Sequence, residues 1–436
     1  MSDWSGRQLH FIGIGGAGMS GLALVAAKLG ASVSGSDRSE SSYLRRVRSA
    51  GIEVFPEHDA ANLPDGADVV ISTAIAADNP ELSLAREQDR RILHRSDLLA
   101  EFCAGKRTMA VAGTHGKTTT TGMLITALRN LGQDPAFFIG GELPGVADDG
   151  SASNSGWGEG EWAIVEADES DGSFLVLDPE VAVITNIEMD HHSRWSGLVE
   201  LREAFESFAG KARAAVLPES ETDLAAALPD TESTFFGPDS PGPADLELAV
   251  PGVHNRLNAR AAIGALAAAG IDPDEAAGAL ADFPGVKRRL EFKGTCNGAR
   301  VYDDYAHHPT EVRAALTALR EFEPKRLVAI FQPHLYSRTK VFRDSFGAAL
   351  ALADEVIVLD IYPARELPVG PLAGISGMDV LRATADQSGG KASYWAPEAD
   401  AAERIARTRA VEGGILVTVG AGDVTRISDR LVATDA

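Results

Sequence analysis

One short segment between an apolar stretch and a hydroxyl-rich stretch constrains this chain more than any other feature. Residues 113–120 read Gly-Thr-His-Gly-Lys-Thr-Thr-Thr, and the largely apolar residues 107–111 before them predict a buried strand. A strand that ends in glycines and runs into a helix lets backbone N–H groups converge on anionic oxygens, with the positive end of the helix behind them. The segment therefore predicts an α/β sheet with a phosphate-binding loop, and a nucleoside triphosphate as its ligand.

Side chains in this loop suit the same ligand. Lys117 is placed to reach the outer phosphates, and the Thr118 hydroxyl is placed to hold Mg²⁺. The spacing is shorter than in the general P-loop pattern, which has a glycine where this chain has Val111. A plain strand-to-helix turn would not require a lysine and four hydroxyls. We predict nucleotide contacts from the whole loop, namely Gly113, Thr114, His115, Gly116, Lys117, Thr118 and Thr119.

Length, charge and cysteine usage exclude several classes of protein. At about 150 residues per domain, 436 residues predict about three domains. The formal net charge of -23 argues against nucleic acid or an anionic membrane surface as a partner, and no apolar run is long enough to span a bilayer. The N-terminus lacks a secretory pattern, which predicts a cytoplasmic protein. Cys103 and Cys296 stand far apart and indicate neither a disulfide framework nor a zinc site.

A second glycine-rich turn lies near the N-terminus. An apolar strand at 9–14 runs into Gly13-x-Gly15-x-x-Gly18 and a helix from about residue 19 to 29, and a second strand at 32–36 ends at Asp37. This is the βαβ nucleotide-binding fingerprint, in which glycines approach a diphosphate and the acid binds a ribose hydroxyl. The pattern fits NAD equally well, and a packing turn without a ligand is the alternative.

Further apolar segments alternate with helical ones and predict three α/β domains. The boundaries we predict are 1–106 for an N-terminal Rossmann-like domain, 107–285 for a central P-loop ATPase-like parallel sheet, and 286–436 for a C-terminal Rossmann-like domain. Linkers are predicted at 104–107 and 284–298, where glycine and basic residues cluster. The remaining predicted strands are 68–72, 162–166, 181–185, 214–217, 327–331, 355–359 and 414–418.

Acid-rich segments follow two strands of the predicted central domain. Residues 166–171 read Glu-Ala-Asp-Glu-Ser-Asp, and residues 186–191 read Asn-Ile-Glu-Met-Asp-His. The carboxyl ends of parallel strands are where an open α/β sheet binds its ligands. Mg²⁺ usually takes only one or two carboxylates, so most of these acids are surface charges, and Glu166 is the strongest candidate ligand.

Polar residues farther along have both a functional and a plain structural reading. Asn255 and Asn258 lie one turn apart on a predicted helix, where their amides would read a base or cap the helix. The basic cluster 287–289 suits phosphates or is a surface charge run. Segments 302–310 and 331–339 follow strands and hold dense polar groups, which would also form capped turns. Their histidines lack a third ligand at suitable spacing, so zinc is not predicted.

Together these ordered motifs resemble the Mur ligases, ATP-dependent enzymes that build the peptide stem of bacterial cell-wall precursors, and among them the alanine-adding members. The resemblance covers nearly the whole chain. The motifs that carry it are 13–21, 113–120, 166–171, 185–191, 254–258, 288–289, 304–309, 332–339 and 420–423.

This resemblance implies roles for individual residues. Lys117 would contact the ATP phosphates, Thr118 and Glu166 would hold one Mg²⁺, and His191 would bind a second Mg²⁺. Arg338 would approach the reacting groups together with these residues. Further ATP contacts would come from Asn255, Asn258, Arg288 and Asp304. The UDP-sugar contacts would be Gly15, Gly16, Ala17, Gly18, Met19, Ser20, Asp37, Ser72 and His334.

The implied reaction joins L-alanine to UDP-N-acetylmuramate through an acyl phosphate, with ATP and Mg²⁺ as cofactors and no protein nucleophile. We expect a monomer or homodimer. Leu335 stands where such enzymes often have arginine, so one expected anion contact is absent. Three alternatives stay open: a recycling ligase that adds a preformed tripeptide, an NAD-dependent dehydrogenase, and a nucleotide-sensing switch without catalysis.

Overall fold

Three sheets organise the chain. The computed structural model describes residues 4–147, 149–190, 194–240, 246–364 and 366–433. The chain forms two compact units, Met1–Leu248 with Arg256–Pro284, and Ala249–Asn255 with Gly285–Ala436. The first unit holds two sheets and the second holds one. Among the described residues, no helix is both long and apolar enough to cross a membrane. The three-domain α/β fold class is confirmed, and the predicted boundaries at 106 and 285 stay predictions.

The first sheet is parallel throughout and has strand order β3-β2-β1-β4-β5. The strand order reverses at β1, so the carboxyl ends of β1 and β4 border the crevice where Rossmann-like sheets bind ligands. Its strands are β1 (Gln8–Ile12), β2 (Ser32–Ser36), β3 (Glu53–Phe55), β4 (Asp68–Ile71) and β5 (Ile92–His94). Its helices are α1 (Ala17–Lys28), α2 (Ser42–Ser49), α3 (Pro80–Glu87) and α4 (Arg95–Cys103), with a 3₁₀ turn at Ala60–Asn62.

The second sheet has strand order β12-β11-β10-β6-β9-β7-β8, and β8 pairs antiparallel with β7. Its strands are β6 (Arg107–Ala112), β7 (Ala136–Leu143), β8 (Ser153–Gly156), β9 (Trp162–Glu166), β10 (Val181–Ile184), β11 (Ala214–Pro218) and β12 (Glu232–Phe236). Its helices are α5 (Lys117–Asn130), α6 (Leu198–Ala209), α7 (Thr222–Ala226), α8 (Val253–Ala268) and α9 (Pro273–Leu280), with a 3₁₀ turn at Ser173–Val176. Because β6 lies between β10 and β9, the residues after all three strands meet at one edge.

One apolar core runs through both sheets of the first unit. Phe102 on α4 shows the continuity, because its ring stacks on Trp4 at 4.7 Å and on Phe138 of β7 at 5.7 Å between centroids. Burying such rings is worth about 1.5–3 kcal/mol each. The glycine turn of the first sheet and the phosphate loop of the second sheet are therefore held by a shared core.

The second unit contains a sheet of order β13-β14-β18-β15-β16-β17, with β13 antiparallel to β14. Its strands are β13 (Glu291–Cys296), β14 (Ala299–Asp304), β15 (Leu327–Phe331), β16 (Glu355–Val358), β17 (Ala392–Trp395) and β18 (Ile415–Val419). Its helices are α10 (Pro309–Arg320), α11 (Tyr336–Leu350), α12 (Gly377–Gln387), α13 (Ala399–Arg409) and α14 (Thr425–Ala433), with a 3₁₀ turn at Gly370–Leu372.

The predicted linker 284–298 is wrong in its extent. Strand β13 occupies its second half and forms a hairpin with β14. The turn consists of Asn297 (φ 48°) and Gly298 (φ 76°), the dipeptide that favours a tight hairpin because both residues tolerate positive φ. This Asn-Gly dipeptide lies within the predicted linker and is the local sequence signal for the hairpin.

Candidate functional site

The loop after β6 has the geometry of a phosphate-binding loop. Gly113 (φ 130°) and Gly116 (φ 83°) take backbone conformations that favour glycine. Residues after β10 hold the loop: the Asn186 amide donates to the His115 carbonyl at 2.8 Å and accepts its N–H at 3.0 Å. The Thr185 hydroxyl donates to the same carbonyl at 2.5 Å. Within the described chain, no side chain caps the start of α5, so its first N–H groups face outward at the positive end of the helix.

Lys117, the first residue of α5, lies in the mouth of this loop. Its ammonium donates to the carbonyls of Gly113 at 2.6 Å and Thr114 at 3.2 Å, and lies 2.8 Å from the Glu169 carboxylate. The two charged side chains are only 13% and 2% exposed. Burial lowers the pKa of Lys117, but the neighbouring acids Glu169 and Asp168 outweigh it and raise that pKa above its ordinary value. The lysine is therefore a fixed positive charge that a phosphate reaches by replacing one of these acceptors.

Thr118 and Glu166 lie together beside Lys117, as the sequence predicts. The Thr118 hydroxyl donates to the Glu166 carboxylate at 2.9 Å, and the Gly140 N–H donates to its other oxygen at 2.6 Å. A hydroxyl and an oriented carboxylate are hard oxygen ligands of the kind that Mg²⁺ prefers when it also binds phosphates. The residues present fit a magnesium site. The predicted second ligand, His191, lies outside the described residues.

The first glycine turn is shaped by the acid that follows β2. The Gly15 N–H donates to Asp37 at 2.9 Å, so a ribose hydroxyl would share this carboxylate with the turn. Ser72 follows β4, next to β1, at the same edge of the sheet. Met19 and Ser20 are buried in α1, and their predicted sugar contacts stay predictions. Gly16, Ala17 and Gly18 form the start of α1, where no side chain in the described ranges caps the helix.

Two functional candidates beside these sites were not predicted individually. Glu169, the partner of Lys117, was placed among the surface acids, yet it is buried. Arg95 opens α4, and its guanidinium lies 3.3 Å from Asp168 and 3.2 Å from Asp171 in the loop after β9. The only local signal is the capping box formed by His94 and Asp97, which marks where α4 begins but does not indicate what Arg95 contacts.

The two predicted asparagines of α8 have different surroundings. The division between the two compact units falls after Asn255, whose amide donates to the Pro251 carbonyl at 2.7 Å. Asn258 lies in the first unit against the phosphate loop, with its side-chain oxygen 2.5 Å from where a Cβ on Gly116 would stand. Asn258 therefore contacts the loop backbone directly, whereas Asn255 donates to a carbonyl of the segment just before its own helix.

We expect Gly116→Ala to lower stability and weaken nucleotide binding. Its positive φ would cost an L residue about 1–2 kcal/mol, and overpacking against Asn258 about 1–3 kcal/mol more. The matched control is Gly132→Ala, because Gly132 has φ 73° but open space around its Cβ position. Denaturant unfolding of both variants checks this. Equal destabilisation of the two would contradict the close contact with Asn258.

In the second unit, Asp304 and Arg288 bind backbone groups. Asp304 accepts the N–H groups of Leu290 at 2.8 Å and Ala306 at 2.7 Å, and burial raises its pKa to about 6. The Arg288 guanidinium donates to the carbonyls of Gly420 at 2.7 Å and Gly422 at 3.1 Å. These contacts favour a structural role for both side chains. Their predicted ATP contacts stay predictions.

His334 and Arg338 lie side by side at the start of α11. Their nearest nitrogens are 3.2 Å apart, and the His334 ring stacks on Tyr362 at 5.8 Å between centroids. Leu335 between them has φ 68°, ψ 136°, so the chain turns sharply just before α11. Arg338 is buried and supplies the positive charge of this pair, which suits an anionic group.

Comparison with known proteins covers all three sheets. Residues 8–107 match the family model described as Mur ligase family, catalytic domain; residues 111–228 match the Mur ligase middle domain; and residues 288–422 match the Mur ligase glutamate ligase domain. A UDP-N-acetylmuramate–L-alanine ligase from Renibacterium salmoninarum is 44% identical over 96% of this chain and 94% of that protein. A UDP-N-acetylmuramate–L-alanine ligase from Thermobifida fusca is 42% identical over 99% of this chain and 97% of that protein.

Solved structures agree with the sequence relatives. The UDP-N-acetylmuramate-alanine ligase MurC from Thermotoga maritima is 32% identical, with a TM-score of 0.80 over 98% of this chain and 99% of that one. A murein peptide ligase from Psychrobacter arcticus is 25% identical, with a TM-score of 0.70 over 98% of both chains. These matches extend along nearly the whole chain and include the segments that build the phosphate loop. The resemblance inferred from the motifs is confirmed, and the chain belongs to the Mur ligase family.

Proposed function

We propose that this protein is the ATP-dependent ligase that joins L-alanine to the lactyl carboxylate of UDP-N-acetylmuramate, a step of bacterial peptidoglycan precursor synthesis. The observation that carries the proposal is the loop that brings Lys117, Thr118 and Glu166 together. It occurs in a chain whose full-length relatives are named for this reaction. The murein peptide ligase, which represents the tripeptide alternative, is less similar to this chain.

The chemistry requires two displacements. A carboxylate oxygen of the muramate attacks the γ-phosphorus of ATP, the bond to the β–γ bridging oxygen breaks, and ADP leaves an acyl phosphate. The neutral amine of L-alanine then attacks the acyl carbon to give a tetrahedral intermediate. Its C–O bond to phosphate breaks, the nitrogen loses a proton, and an amide and inorganic phosphate are formed. Neither step requires a nucleophile from the protein.

The described residues contribute positioning and charge. Lys117 and the outward N–H groups of α5 neutralise the phosphates and orient the terminal phosphorus. We propose that Thr118 and Glu166 hold Mg²⁺, which when bound supplies Lewis-acid stabilisation of the charge on the transferred group. Thr185 and Asn186 keep the loop rigid, so that it does not reorganise as charge moves.

The other site assignments are also proposals. The turn at 15–18 would receive the UDP diphosphate, with Asp37 and Ser72 beside it. Asn255, Asn258 and Asp304 would position ATP, and Arg338 beside His334 would bind an anionic group of the substrates. We propose a cytoplasmic location because ATP and UDP-sugars are present there.

The decisive test is phosphate release from ATP and Mg²⁺ with UDP-N-acetylmuramate and one of three additions: L-alanine, the tripeptide L-Ala-γ-D-Glu-diaminopimelate, or no acceptor. We expect release that depends on L-alanine, because acyl phosphate formation without an acceptor turns over slowly. Release that depends on the tripeptide would assign a recycling ligase instead. No release with either acceptor, together with tight NADH binding, would overturn ligase activity.

A further inference from the structure

Arg95 lies between the two nucleotide sites of the first unit. Its Nη2 pairs with Asp168 at 3.3 Å and Asp171 at 3.2 Å, both in the loop after β9 of the second sheet. On its other side, Nη1 lies 3.4 Å from the position that a Cβ on Gly18 would occupy. The guanidinium therefore contacts the glycine turn of the first sheet and the acidic loop of the second sheet at once.

Arg95 brings a positive charge to the start of α1. Gly18 lies in the first turn of α1, whose leading N–H groups form the positive end of that helix. A guanidinium next to a positive helix end is unfavourable unless acids compensate it, and Asp168 and Asp171 do so here. A planar guanidinium binds phosphate oxygens in bidentate fashion, and the Arg95 side chain is 25% exposed, which leaves it accessible.

We propose that Arg95 is a diphosphate-binding residue of the sugar-nucleotide site, and that Asp168 and Asp171 hold its guanidinium until the diphosphate replaces them. This inference rests on the proposed function, because it takes the turn at 15–18 as the UDP-sugar site. The ligand chemistry is a nucleoside diphosphate. The arginine comes from α4, which neither the glycine fingerprint nor the phosphate loop includes.

The same loop connects Arg95 to the ATP site. Glu166, the last residue of β9, accepts the Thr118 hydroxyl, and Glu169 in the loop pairs with Lys117. Asp168 and Asp171 lie in this loop and pair with Arg95. When a diphosphate binds Arg95, Asp168 and Asp171 lose their ion pair with the guanidinium, and the charge around Lys117 changes. Occupancy of the two sites is therefore coupled, and the coupling is reciprocal for the two ligands.

Calorimetric titration of the full chain with UDP and with UMP tests the diphosphate assignment. We expect Arg95→Gln to weaken UDP binding about 10- to 100-fold, the loss typical of one charge-assisted phosphate contact, and to change UMP binding little. Arg95→Lys should restore part of the UDP affinity. The matched control is Arg91→Gln, because Arg91 pairs with Glu101 away from the turn and its loss should change neither ligand. Equal losses for UDP and UMP, or no loss, would overturn the assignment.

Asp171→Asn tests whether the acid competes with the diphosphate for the Arg95 guanidinium. The variant can keep the oxygen that accepts the Ser173 N–H and removes the charge that faces Arg95. We expect UDP to bind about 2- to 5-fold more tightly, because the diphosphate no longer displaces a charged partner. Unchanged or weaker binding would show that the acids do not compete with the diphosphate.

Failure of this inference and failure of the proposed function give different results. Wild-type protein that releases phosphate with L-alanine, together with an Arg95→Gln variant that keeps the wild-type preference for UDP over UMP, would overturn only the role of Arg95. Wild-type protein without any alanine-dependent release would overturn the ligase. The UDP and UMP titrations would still decide whether Arg95 binds a diphosphate.

Discussion

Replacing Lys117 by alanine is expected to abolish ligation while leaving the affinity for the UDP-sugar nearly intact. The ammonium is the buried positive charge of the phosphate loop, and no other residue supplies a charge at its position between Gly113, Thr114 and Glu169 in the part of the chain described. Losing a preorganised group that stabilises transition-state charge costs about 10²- to 10³-fold in turnover, and a phosphate-binding lysine belongs at or beyond the upper end. Steady-state phosphate release and UDP-sugar titration measure the two effects.

A lysine at the opposite end of the same strand provides the control. Lys106 precedes β6 and donates to the Gly158 carbonyl at 2.9 Å, far from the residues that follow the strand. Lys106→Ala removes the same charge from the same domain, and we expect turnover near that of the wild type. Substantial residual ligation in Lys117→Ala, or an equal loss in Lys106→Ala, would contradict the role assigned to Lys117.

The sequence predicts some strands of this fold with their observed bounds and misses others. Central strands such as β9 and β15 were predicted with their observed bounds because buried parallel strands are short apolar runs. Edge strands such as β3 and β17 were missed because they are short and bury only part of their surface. Strand β8, Ser-Asn-Ser-Gly, has no apolar pattern at all, and it is buried because it packs beneath α1. Only tertiary contact explains it.

The same distinction applies to the site. Lys117, Thr118 and Glu166 were predicted because glycine turns and strand ends leave local signals, and the structure brings them together. Arg95 could not be predicted, because its partners are more than 70 residues away and its own neighbourhood only indicates a helix start. Glu169 was misjudged as a surface acid, since a run of acids does not show which carboxylate the fold buries. Long-range packing decides these positions.

Glu169→Gln is expected to destabilise the nucleotide-free protein and to make nucleotide binding more stabilising than in the wild type. Removing one partner of a buried ion pair costs about 3–5 kcal/mol, and the two carbonyls that Lys117 still contacts place this case near 3 kcal/mol. For a domain of this size that loss lowers the melting temperature by about 6–12 °C. Bound phosphates restore negative charge at the ammonium, so a non-hydrolysable ATP analogue should recover more than half of the difference.

The nucleotide dependence separates this effect from general destabilisation. Glu161→Gln is the matched control, because its carboxylate is 60% exposed and pairs with Arg107 at 3.2 Å at the other edge of the sheet. An exposed pair of this kind contributes at most about 1 kcal/mol, so we expect a small change in melting temperature that the ATP analogue does not alter. If Glu169→Gln melted like the wild type, or lost the same stability with and without the analogue, Glu169 would not be the charge that holds Lys117 before the phosphates arrive. A loss that the analogue reverses would instead show that Glu169 occupies, in the nucleotide-free protein, the electrostatic position that ATP takes when it binds.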